Sequence, residues 1–250
     1  MLKYLDDITW FFGERGKGII MLFLLYPPRC PICDKVMDIR FDGICPSCRK
    51  RIPYAIEPRC KKCGKSLLSE QFEYCNNCRT YRHDFTQARG TWLYQNPIKA
   101  SVYRFKNSNR RGYAPIFAEE MILQNRNWLI NIEIDLIVPI PLHKKKQRKR
   151  GYNQAGLLAD EIGKRLEIPV EHGLLVKRRE TDQQKSLSRQ KRKENLKDAF
   201  SLDKEVKSGS RILLIDDVYT TGSTADAASQ LLLKAGAGHV YVLCLCIGIT

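Results

Sequence analysis

The sequence has no apolar run long enough to cross a bilayer. The run Ile19 to Tyr26 is well short of the about 20 residues a membrane helix needs, so no transmembrane segment is expected. A small-residue cleavage site is also missing after that run, and Asp6, Asp7 and Glu14 stand ahead of it, which argues against a secretory signal. The segment is expected to be an amphipathic or buried helix, and without export the protein is expected to be cytoplasmic, where disulfides are rare. Acidic residues are scarce as well: 27 Asp+Glu stand against 43 Lys+Arg, a formal charge of +16. Such a surplus suits a polyanion, either nucleic acid or a phosphorylated ligand, although a merely solvated basic surface would have the same composition. The 250 residues leave room for one ordinary α/β domain and a small appended module.

Cysteine is present in a pattern. Eight of the ten cysteines form four Cys-x-x-Cys pairs: Cys30/Cys33, Cys45/Cys48, Cys60/Cys63 and Cys75/Cys78. Pro28-Arg29-Cys30 recurs thirty residues on as Pro58-Arg59-Cys60, and eleven residues separate the two pairs in each copy. This is an internal duplication. Two close pairs brought together by a hairpin supply the four thiolates that tetrahedral zinc takes. Asp42-Gly43 and the polar stretch Ser69 to Glu73 are candidate turns for those hairpins. Sequential pairing predicts two structural zinc ions, one on Cys30, Cys33, Cys45 and Cys48 and one on Cys60, Cys63, Cys75 and Cys78. The alternatives are a cross-braced arrangement, in which the first and third pairs share a metal, and disulfides. Cys244 and Cys246 alternate with Leu243, Leu245 and Ile247 and are expected to be small core residues of a strand.

The other pattern runs from Arg211 to Thr224. Ile212 to Ile215 form a short apolar run bounded by charge and turn residues, which predicts a buried parallel strand, and Ala225 to Lys234 has helical spacing of Ala228, Leu231 and Leu232. Asp216 and Asp217 then stand at the strand's carboxyl end, and Thr220, Thr221, Gly222, Ser223 and Thr224 open the helix. Such a turn offers backbone N–H groups, hydroxyls and the helix dipole to a phosphate. The two acids could accept hydrogen bonds from sugar hydroxyls or support Mg²⁺. A hydroxyl-capped turn with no ligand would share these residues. Ile134 to Ile140 predicts a second buried strand, followed by Pro141-Leu142-His143, the basic run Lys144, Lys145, Lys146, Arg148, Lys149 and Arg150, and Gly151-Tyr152-Asn153-Gln154.

Asp-Asp-Val-Tyr-Thr-Thr-Gly-Ser-Thr after an apolar run resembles the PRPP-binding loop of type I phosphoribosyltransferases. The stretch from Ile134 through Gln154, with the spaced residues Arg179, Thr181, Gln184, Leu187, Arg192, Asn195, Ala199 and Phe200, resembles the ComF family of competence proteins, as does the cysteine module ahead of it. The resemblance implies that Asp216 and Asp217 serve the ribose and the catalytic centre, that Thr220 through Thr224 hold the 5′-phosphate, that Pro141, Leu142 and His143 cradle pyrophosphate, and that Mg²⁺ accompanies PRPP. It also implies a place in DNA uptake at the membrane periphery, with an uptake helicase and other competence proteins as partners.

The expected fold is α/β, a type I phosphoribosyltransferase-like, mostly parallel sheet with helices on both faces, preceded by a small double zinc ribbon. The expected layout is an N-terminal helical segment over residues 1–27, the double ribbon over 28–80 and the transferase-like domain over 85–250. The basic run has more cations than one pyrophosphate needs. Residues 177–197 add nine Lys and Arg in a stretch expected to be a mobile loop or hood. Both suit single-stranded DNA, with Tyr103, Phe105, Tyr113 and Tyr152 as candidates for stacking that core positions would explain equally. Two kinds of function remain: a DNA-uptake protein that binds PRPP and single-stranded DNA, or an active phosphoribosyltransferase without a DNA-binding role. No residue stands out as a base for an acceptor.

Overall fold

Short apolar runs alternate with amphipathic segments, and they fold as strands and helices in that order. The computed structural model describes residues 27–38, 43–179 and 199–249. The expected N-terminal helix, apart from Pro27, and residues 180–197 of the expected hood lie outside them. The strands are β1 (Gln87–Leu93), β2 (Leu136–Pro139), β3 (Leu175–Lys177), β4 (Phe200–Leu202), β5 (Arg211–Tyr219) and β6 (His239–Ile247). The helices are α1 (Pro46–Arg49), α2 (Asn76–Thr80), α3 (Ile98–Asn107), α4 (Ala114–Gln124), α5 (Arg126–Asn131), α6 (Lys144–Arg150), α7 (Gln154–Leu166) and α8 (Ser223–Lys234). The strands and helices expected within the described residues are present. The basic run, assigned no secondary structure from sequence, forms α6, and β4 pairs antiparallel with β3, which brings together the two ends of the stretch 178–199.

β1, β6, β5 and β2 form one sheet in that order, with every pair parallel. Successive side chains on a strand point to opposite faces. Ile212 and Leu214 of β5 with Val240 and Val242 of β6 therefore pack on Ala228 and Leu232 of α8. Leu213, Ile215, Leu243 and Leu245 face the other way, where α4 and α7 pack on each other and on the sheet. Both faces are covered, which is why these strands are nearly continuous apolar runs. Cys244 and Cys246 are buried in β6 as small core residues.

Compact packing divides the chain at Arg51/Ile52, between the two cysteine repeats. In the smaller unit Arg29 bridges Val36, the Cys30 N–H donates to the Lys35 carbonyl at 3.0 Å, and α1 starts just after Cys45. The second repeat, in the larger unit, has the same local backbone: Arg59 bridges Ser66, and the Cys60 N–H donates to the Lys65 carbonyl at 2.8 Å. Asp34 and Gly64, the residues after Cys33 and Cys63, both have positive φ, 62° and 73°. The residue types differ because the second copy meets β1. A Cβ on Gly64 would lie 2.5 Å from the Ala88 carbonyl oxygen, and the Ala88 N–H donates to Lys62 O at 2.8 Å. Residues 53–55 pair antiparallel with β1 through Ala55 N–H to Thr91 O and Leu93 N–H to Pro53 O, covering that sheet edge.

Cys60, Cys63 and Cys75 consequently belong to the same buried cluster as Phe85, Ala88 and Val242. Cys63→Ser is expected to reduce zinc from two ions to one per chain by elemental analysis. It should also lower the melting temperature of the larger unit by more than about 5 °C, at roughly 2–4 °C per kcal/mol for a chain of this size. An unchanged melting curve would separate the metal site from that core.

Candidate functional site

All eight paired cysteines are free of disulfides. The four Sγ atoms of Cys30, Cys33, Cys45 and Cys48 lie within 4.8 Å of one another, as do those of Cys60, Cys63, Cys75 and Cys78. Cys33 and Cys45 are 3.9 Å apart at sulfur, and Cys63 and Cys75 3.6 Å. A tetrahedron with metal–sulfur bonds of about 2.3 Å has edges of about 3.8 Å, so both tetrads fit a four-thiolate zinc site. Sequential pairing holds, and the cross-braced alternative does not.

The second centre lies where β5 ends. Thr220 and Thr221 turn the chain, Gly222 caps α8 at φ +85°, and a pocket opens between them. Asp216, Val218, all five residues Thr220 to Thr224 and Ile140 line it. Thr221 Oγ1 and Ser223 Oγ share a hydrogen bond at 3.0 Å. Gly222 is required twice over: its φ is left-handed, and a Cβ there would come within 2.5 Å of Tyr219 Oη and 2.8 Å of His83 Cε1. The helix therefore begins with backbone N–H groups and hydroxyls at the mouth of the pocket, the arrangement that holds anions.

Asp216 and Asp217 are neighbours in sequence but face opposite sides of the sheet, as strand alternation demands. Asp216 lies on the α8 side, with the pocket. Asp217 lies on the α3 side, where its carboxylate accepts from Lys106 Nζ at 2.7 Å, both side chains largely buried. Burial draws the Lys106 ammonium down, but the charges of Asp217 and Asp216 outweigh it and hold its pKa above the ordinary value. Burial, then the charge of Asp217, push the Asp216 carboxyl up to about 7, against the opposing pull of Lys106 and of the Asp217 N–H that donates to it at 2.8 Å. Burial and the neighbouring Lys146 draw the Lys177 ammonium below its ordinary value, and Asp216 opposes them. Lys177 thus lies within electrostatic reach of Asp216, and Lys146 of Lys177.

Pro141, Leu142 and His143 continue from Ile140 at the pocket wall and lead into α6, whose first turn His143 caps by accepting from the Lys145 N–H at 3.4 Å. Lys144, Lys145, Arg148 and Lys149 are exposed on α6, and Lys146 and Arg150 half-buried. The Arg-Gly-Tyr-Asn-Gln run braces this loop. Gly151 ends α6 in the left-handed region, Tyr152 Oη donates to the Phe105 carbonyl, Asn153 Nδ2 donates to the Ile140 carbonyl at 3.0 Å, and Arg150 pairs with Gln154. Of the four aromatics considered for stacking, Phe105, Tyr113 and Tyr152 are core residues and Tyr103 is exposed. Arg111 lies 4.8 Å from the Tyr152 ring centre.

Lys106 and His83 escaped the sequence reading. Lys106 ends an ordinary amphipathic helix, and nothing in its neighbourhood in sequence marks it as the partner of an acid more than a hundred residues on. His83 sits in the link between the second repeat and β1. No helix among the described residues is long and apolar enough to cross a membrane.

The raised Asp216 pKa has a consequence for stability. A carboxyl that titrates higher folded than unfolded stabilises the fold below its ordinary value near pH 3.8 and loses that contribution as pH rises through about 7. The melting-temperature advantage of Asp216→Asn over the parent is therefore expected to grow between about pH 5 and about pH 7 and to level off above. A difference that stays constant with pH would mean that Asp216 does not titrate in this range.

Comparison with known proteins agrees with this architecture. A family model for a double zinc ribbon domain matches residues 21–79, and one for a phosphoribosyl transferase domain matches residues 119–248. Competence protein F of Haemophilus influenzae is 33% identical over 222 residues, 86% of this chain and 94% of that protein. DNA utilization protein YhgH of Salmonella typhimurium is 30% identical over 231 residues, 89% of this chain and 98% of that protein. Competence protein ComFC of Bacillus subtilis is 26% identical over 251 residues, 90% of this chain and 94% of that protein. With two cysteine tetrads ahead of a parallel sheet that carries a phosphoribosyl transferase domain, and a relative matched over nearly its whole length, the chain belongs to the ComF family of competence proteins.

Proposed function

We propose that this chain serves DNA uptake or utilisation, as the names of its relatives state for them, by binding a ribose 5-phosphate ligand of the PRPP class and single-stranded DNA. The observation that carries the ligand is the pocket, which unites Asp216 with the five residues Thr220 to Thr224 at the start of a twelve-residue helix. The phosphate would sit on the N–H groups and hydroxyls of that loop, and Asp216 would accept from the ribose hydroxyls. Lys146 and Lys177, with the loop Pro141 to His143, would face the pyrophosphate. Mg²⁺ binds through one or two carboxylates together with substrate oxygens. Asp216 suits it, while Asp217 is engaged by Lys106 and would act by holding the end of β5 in place. Bound Mg²⁺ would supply charge neutralisation at the leaving pyrophosphate.

DNA binding rests on α6, where Lys and Arg fill six of seven positions. A helix so charged has no apolar face to bury and fits a phosphate backbone. Calorimetry with PRPP and Mg²⁺, followed by pyrophosphate release across bases and single-stranded DNA, tests the proposal and separates binding from turnover. Absence of PRPP binding would refute it.

Asp216→Ala is expected to weaken PRPP binding by about a hundredfold with the fold retained. Hydrogen bonds to a charged group are worth roughly 1.5–3 kcal/mol, and each tenfold in affinity is about 1.4 kcal/mol. Asp217→Ala should act first on stability, because it leaves the Lys106 ammonium buried without its partner, and adding Lys106→Met should restore much of the lost melting temperature. Equal melting curves for the parent and Asp217→Ala would show that the ion pair does not contribute to stability.

Single-stranded DNA affinity should fall steeply with salt, by roughly 0.7 in log affinity per log salt for each phosphate contact. Replacing Lys144, Lys145 and Lys146 with Ala should flatten that slope and weaken all sequences alike. An unchanged slope would remove α6 from the DNA surface.

A further inference from the structure

The first turn of α8 contains an acid, Asp226, on a helix whose amino end is the anion loop. A free carboxylate there would repel a phosphate. Asp226 is instead held by two donors from the link between the second cysteine repeat and β1. His83 Nδ1 lies 2.9 and 3.0 Å from its two oxygens, and the Asp84 N–H donates to it at 3.1 Å.

His83 has a second attachment. Its side chain is fully buried, and Nε2 lies 3.3 Å from Asn77 Nδ2. With the proton on Nδ1 the ring donates to Asp226 and accepts from the Asn77 amide, so both contacts are satisfied by one tautomer. Asn77 stands between Cys75 and Cys78, inside the second tetrad's closing pair. The same ring stacks on Phe85 at 4.8 Å and lies directly against Gly222, where Cε1 would be 2.8 Å from a Cβ. Tyr219, the last residue before the loop, meets Phe85 edge-on at 6.1 Å. One buried imidazole therefore touches the metal-binding turn, the left-handed residue of the anion loop and the acid of the helix's first turn.

We infer that His83 is a positioning residue that sets the anion loop through Asp226 and Gly222 and ties it to the second cysteine tetrad, so that metal binding at Cys60, Cys63, Cys75 and Cys78 and phosphate binding at Thr220 to Thr224 favour each other. The inference rests on the reading of that loop as a phosphate site. The physical basis is that the metal fixes the turn carrying Asn77, Asn77 orients the ring, and the ring holds both the charge of Asp226 and the packing under Gly222. Linkage is reciprocal, so ligand must in turn retain metal.

The test uses the full, zinc-loaded chain with ribose 5-phosphate as probe. His83→Phe keeps the stacking with Phe85 but loses both nitrogens, and it is expected to weaken ribose 5-phosphate binding by about tenfold or more while both zinc ions stay bound. His83→Asn, which keeps a donor toward Asp226, should recover part of that loss. In a Cys48→Ser chain, where the remaining four-cysteine site is the second tetrad, ribose 5-phosphate should slow zinc extraction by a chelator. Adding His83→Phe should abolish that protection. A purely structural role for His83 would lower stability without linking ligand to metal release. If the parent binds ribose 5-phosphate and His83→Phe binds it equally, or if ligand gives no protection in the Cys48→Ser chain, the inference is wrong while the phosphate reading stands. If the parent does not bind ribose 5-phosphate at all, the phosphate reading fails and the inference falls with it. Should His83→Phe not fold, the protection measured with His83 intact decides the matter.

Discussion

A parallel strand buried on both faces tolerates charge only near its ends, and β5 is organised by that constraint. Four apolar residues are followed by Asp216 and Asp217, and the period of two sends one carboxylate to each face of the sheet. On the α3 face the largely buried charge has a protein partner, Lys106. On the α8 face the strand ends beside the loop Thr220 to Thr224, and Asp216 lines the pocket. The two acids thus have different surroundings: one pairs with Lys106 and the other lines the pocket. Burial and, after it, the neighbouring Asp217 charge push the Asp216 carboxyl up to about 7.

The duplicated cysteine module shows how one local structure takes on two roles. Both copies place a positive-φ residue after the second cysteine and bring their sulfurs to tetrahedral spacing. Only the second has glycine there, and only glycine lets the turn approach the backbone of β1. That single difference carries the second tetrad into the core cluster beneath the sheet, next to Phe85 and within reach of His83. A metal site that replaces a hydrophobic core in a small ribbon here also extends the core of the larger domain.

The basic residues follow a different logic. α6 is short and has no apolar stripe, and its position comes from its ends, with the His143 cap at one and Gly151 and Tyr152 at the other. Tyr152, a stacking candidate in the sequence, and Asn153 spend their polar atoms on the backbone of Phe105 and Ile140. Of the nearby cations Lys177, on β3, acts on Asp216, and Lys146 of α6 acts on Lys177.

The sequence by itself determined the two tetrads, since thiolate spacing repeats locally and a zinc tetrahedron closes over few residues. It also determined the strand, loop and helix around Thr220 to Thr224, because apolar run, turn residues and helical spacing are all properties of neighbours in the chain. The parallel sheet followed from the alternation of those elements. Tertiary structure alone decided that Asp217 meets Lys106, that His83 joins Asn77 to Asp226, and that the second ribbon packs into the sheet while the basic run becomes a helix. Each of these is a pairing of groups far apart in sequence, whose formation depends on which face of a strand or helix is left to fill, and no local pattern of residue types records that.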